Sequence, residues 1–100
     1  GVRIVVGSDS FCSSLTPYGK FAISEMITLW KSGLTPMEAL MAATKNGAEM
    51  LKIDDITGTL EKGKFADLLV VDLNPLEDIA SFSVEKMDVI MKEGTFVRGA

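Results

Sequence analysis

TPMEALMAATKN, residues 35–46, carries the clearest local instructions in this chain. Thr35 suits an N-cap, Pro36 suits the first helical position, where its missing N–H costs nothing, and Glu38 stands three residues past the cap, completing a capping box. Met37, Leu40, Met41 and Thr44 continue down one face of the helix this predicts. Asn46, Gly47 and Glu49 repeat the cap pattern in weaker form, so a second short helix over GAEMLKI, residues 47–53, is expected directly afterwards.

On the N-terminal side, residues 21–32 read as a further helix. Ile23, Ile27, Trp30 and Leu34 fall at intervals of four, three and four with Met26 beside them, and Gly33 supplies the stop. FCSSLTPYGK, residues 11–20, reads as a loop. Before it stands GVRIVVGSDS, residues 1–10, in which Val2, Ile4, Val5 and Val6 are β-branched and nearly uninterrupted, the pattern of a strand buried on both faces. Gly7 ends that strand, and Ser8, Asp9 and Ser10 then lie at the carboxyl end of a buried parallel strand, where α/β proteins tend to hold ligand and catalytic groups. The residues themselves leave two readings of Asp9 open, a turn cap that accepts a backbone N–H and a functional carboxylate.

On the C-terminal side the character changes at Asp54. ITGTLEKGKFADLLVVDLNP, residues 56–75, alternates turn glycines with apolar residues and ends in the short strand LLVV before Asn74 and Pro75 break it. VEKMDVIMKEGTFVRG, residues 84–99, reads as two short strands joined by a turn at Glu93 and Gly94.

Composition removes several classes of function. A chain of 100 residues is one domain at most and falls far short of the roughly 250 residues of a complete (β/α)₈ barrel, so anything barrel-like here is a piece. Its start inside an apolar run, without an initiator methionine, is what a segment of a longer protein would show. A net charge of −4 with dispersed basic residues offers no stripe for a phosphate backbone, which argues against nucleic acid. Apolar runs of only a few residues, and the lack of a signal-like N-terminus, argue against a membrane and for a cytoplasmic chain. Cys12 is the single cysteine and the chain has no histidine, so neither a disulfide framework nor a histidine-activated nucleophile can be assembled from it. The six methionines read as core filling, Met26, Met37 and Met41 sitting on apolar helix faces. Gly58, Gly63 and Lys64 match the spacing of a phosphate-binding loop, but Phe65 follows where Ser or Thr would hold magnesium, and a strand follows where a helix should begin. Those glycines are expected to turn the chain and no more.

Taken in order, these pieces resemble the C-terminal end of the metal-dependent amidohydrolases, in the branch that includes imidazolonepropionase and the Xaa-Pro and Xaa-Arg dipeptidase-like enzymes. The resemblance covers nearly the whole chain: Gly7-Ser8-Asp9, then GLTPMEALMAATKNGAEML, then ITGTLEKGKFADLLVVDLNPLEDI. It implies an α/β fold in two parts. Residues 1–53 would be the last strand and following helices of a (β/α)₈ barrel, and residues 54–100 the C-terminal strands of a small β-sandwich, with Leu68 to Val71 buried.

It also implies that Asp9 is the strand-eight aspartate, ligating a divalent metal, usually zinc, and moving a proton from water to the leaving nitrogen. The family's other ligands come from earlier strands, so the isolated chain is expected to bind no metal tightly and to be inactive. Tyr18 and Gly19 stand where many members carry His-Gly, so no histidine contact to substrate is implied. The function so implied is hydrolysis of carbon–nitrogen bonds in a small-molecule amide, cyclic amide or dipeptide. The alternative is a non-catalytic module that associates with itself. Strand edges left open by the missing parts of the barrel and sandwich, with the apolar faces of Ile27, Trp30 and Leu34, predict a homo-oligomer.

Overall fold

The capping box forms as expected. In the computed structural model, which describes residues 2–7 and 20–99, the Thr35 hydroxyl accepts the Glu38 N–H at 3.2 Å and the Glu38 carboxylate accepts the Thr35 N–H at 3.0 Å. It opens α2, Pro36–Ala43, which follows α1, Lys20–Lys31, and precedes α3, Lys45–Met50. α3 starts two residues earlier than the predicted segment because Thr44, not Asn46, stands at its cap, and the Thr44 hydroxyl turns back to the Leu40 carbonyl at 2.8 Å.

Strands β1 (Leu68–Val71), β2 (Met87–Lys92) and β3 (Thr95–Arg98) form an antiparallel sheet in the order β1-β2-β3. Leu69 stands opposite Ile90, and Met91 opposite Phe96. The β2–β3 turn is the predicted one: Glu93 and Gly94 both take positive φ, 50° and 82°, the combination that matches the twist of a two-residue hairpin. Residues 84–86 form a short 3₁₀ turn ahead of β2 instead of the start of the strand.

The core joins the two halves of the sequence. Met26 and Ala39 from the helices pack with Ile79, Phe82 and Met87, and Val6, Ile23, Trp30, Leu40, Val71, Leu73 and Ile90 close around them. Three expectations need correction. α2 buries Ala39 and Ala42 and leaves Met37 half exposed, since the short side chains allow close approach of neighbouring elements and the long one is turned outward. LLVV is a strand, but Leu69 and Val70 are exposed, because among the described residues the sheet has a single layer and β1 is its edge. Finally, Val2–Gly7 is in no strand, and Val2 is 93% exposed. A ladder needs neighbouring strands, and the three strands described pair with one another, leaving this segment to bond with the helices.

Candidate active site

Val2–Gly7 lies against the corner between α2 and α3, and each of its central residues has a specific contact there. Arg3 forms an ion pair with Glu49. The Ile4 carbonyl accepts the Asn46 side-chain amide at 3.0 Å. Val5 packs at Gly47, where a Cβ would sit 3.7 Å from the Val5 methyl. The Val6 N–H donates to the Ala42 carbonyl at 2.9 Å. That carbonyl is free to accept because the last four C=O groups of a helix have no partner within it, and α2 ends at Ala43. The segment is thus fixed by side chain, backbone and packing on its way to Gly7, two residues before Asp9. Asp9 itself, like Cys12 and Tyr18, lies outside the described residues.

Two concave regions lie elsewhere. An open groove of about 660 Å³ runs between the α2–α3 corner and the sheet, lined mainly by apolar groups that include Ala48, Ile53, Leu60, Leu68 and Met91. A smaller one, about 260 Å³, is bordered by Lys45, Glu49, Glu61 and Lys64. In it the lysine of the phosphate-loop look-alike is already engaged, bonding Thr59 Oγ1 at 2.7 Å and the Glu61 carboxylate at 2.8 Å. The hydrogen bonds from Lys64 and Thr59 hold the Glu61 carboxyl below its usual range. Gly63 turns the chain at φ +95°, and Gly58 takes φ +99° where a Cβ would come within 2.5 Å of the Ala48 Cβ. Both glycines do the turning expected of them.

A catalytic zinc needs three protein ligands, drawn mostly from histidine, cysteine and carboxylate. The chain has no histidine, and among the described residues no three Cys, Asp or Glu side chains converge to hold an ion. The described residues do not make a metal site by themselves.

The sequence profile described as the Amidohydrolase family matches residues 1–97. The chain belongs to that family. Ochratoxinase of Aspergillus niger is 34% identical over 99% of this chain and 20% of its own length. A crystal structure of a Xaa-Pro dipeptidase with methionine bound in its active site is 37% identical, with a TM-score of 0.71 over 78% of this chain and 19% of that one. The structure of molinate hydrolase superposes at a TM-score of 0.82 over 97% of this chain and 24% of that chain, at 27% identity. The chain therefore spans about a fifth of the length of the relatives it matches.

Sequence reasoning selected Asp9 but missed the contacts that hold the segment leading to it. Asn46 and Gly47 were readable only as a helix start, since an Asn-Gly pair signals caps and turns for local reasons. The contact from Asn46 to Ile4 crosses 42 positions of chain, and no local pattern announces it.

Proposed function

We propose that this chain is the C-terminal share of a metal-dependent amidohydrolase that cleaves a carbon–nitrogen bond in a small-molecule amide or dipeptide, in the cytoplasm and as a homo-oligomer. Residues 1–53 would complete a barrel and residues 54–100 a β-sandwich. The observation that carries the reading is the family match over residues 1–97, which includes Gly7-Ser8-Asp9. The likeness to a Xaa-Pro dipeptidase at 37% identity favours a dipeptide or a similarly small amide.

In this reading Asp9 is the carboxylate that takes a proton from the attacking water and passes it to the departing nitrogen, base first and acid second. A divalent cation, zinc in the usual case, would supply Lewis acidity with ligands from other parts of the whole enzyme. This chain contributes one carboxylate to that set and the scaffold beneath it.

The test is Asp9→Asn in the full-length enzyme. The substitution keeps the size of the side chain and removes its basicity, so kcat should fall by at least the roughly 10²-fold typical of general acid–base catalysis, with the fold intact by circular dichroism. Turnover near that of the wild type would return Asp9 to a turn cap.

A further inference from the structure

We draw no further inference here: the strongest candidate, the open apolar groove between the α2–α3 corner and the edge strand β1, walled by Ala48, Ile53, Leu60 and Leu68, carries nothing beyond the reading already given, because nothing in the structure shows what covers it.

Discussion

Asp67 is the residue that ties the most distant parts of the sheet region together. One carboxylate accepts the Glu93 N–H at 2.8 Å and the Thr57 hydroxyl at 2.7 Å, with the Lys92 ammonium at 3.4 Å. The Glu93 N–H belongs to a residue in the left-handed region, and the bond helps hold it there. These contacts, the backbone N–H first and the Thr57 hydroxyl next, keep the Asp67 carboxyl below its ordinary range. A carboxyl depressed in the folded state adds stability above its unfolded pKa, about 3.9, and that stability is lost as pH falls through the folded value. Asp67→Asn should therefore melt below the wild type at pH 7, and the gap should narrow as the pH is taken below about 4. Thermal melts across that range decide it, and a gap independent of pH would show that packing, not charge, holds the turn. That Asp67 would be a hub was not legible in ADLLVVD, because its partners arrive from residues 57, 92 and 93.

Helix ends show how far local sequence governs an element. α1 and α3 finish in the same way: Leu34 N–H reaches the Leu29 carbonyl and Gly33 N–H the Trp30 carbonyl, while Ile53 reaches Ala48 and Lys52 reaches Glu49. This closure needs one residue in the left-handed region just past the helix, and glycine meets the need most easily. At α1 it is Gly33, as the sequence predicts, and at α3 it is Lys52, with φ 59°. Nothing in the identity of a lysine announces that role. Lys52→Gly should therefore stabilise the fold by about 1 kcal/mol by removing the steric cost of a Cβ in that region. Thr35→Ala, which removes the cap of α2, should destabilise it by about 1 kcal/mol. Urea unfolding of the two variants beside the wild type measures both signs, and a loss of stability in Lys52→Gly would show that the lysine stem contributes more than its strained backbone costs.

For the molecule as a whole, the deciding feature is that one core serves both halves of the chain while much apolar surface stays outside it. Met26 and Ala39 meet Ile79, Phe82 and Met87 inside, whereas Leu60, Leu69, Val70, Phe96 and Val97 remain exposed on or beside the sheet. Among the described residues β1 and β3 are open edges, and unpaired edges beside apolar side chains are templates for association. A net charge of −4 is too small to oppose this at physiological salt, where screening acts within about 8 Å. The 100-residue chain by itself should therefore sediment at micromolar concentration as a dimer or larger species, a closed two-fold dimer being the commonest solution. A single species at 10.8 kDa would show that the chain covers its own edges.

The sequence by itself determined what depends on neighbours a few residues apart: the capping box at Thr35, the stop at Gly33, the strand at LLVV and the hairpin turn at Glu93 and Gly94. Each is a contest between a backbone conformation and the side chains within one turn of it, and such contests are settled locally. The order of those pieces was also enough to identify the amidohydrolase family. Tertiary structure decided the rest. GVRIVV has every local preference of a strand, yet whether it lies in a ladder depends on which groups reach Ile4 and Val6, and here those are Asn46 and Ala42. The burial of Ala39 over Met37, the choice of Lys52 as a helix terminus and the gathering of bonds at Asp67 have the same origin. A hydrogen bond or a close contact is a property of two positions, and when they stand tens of residues apart only the fold brings them together.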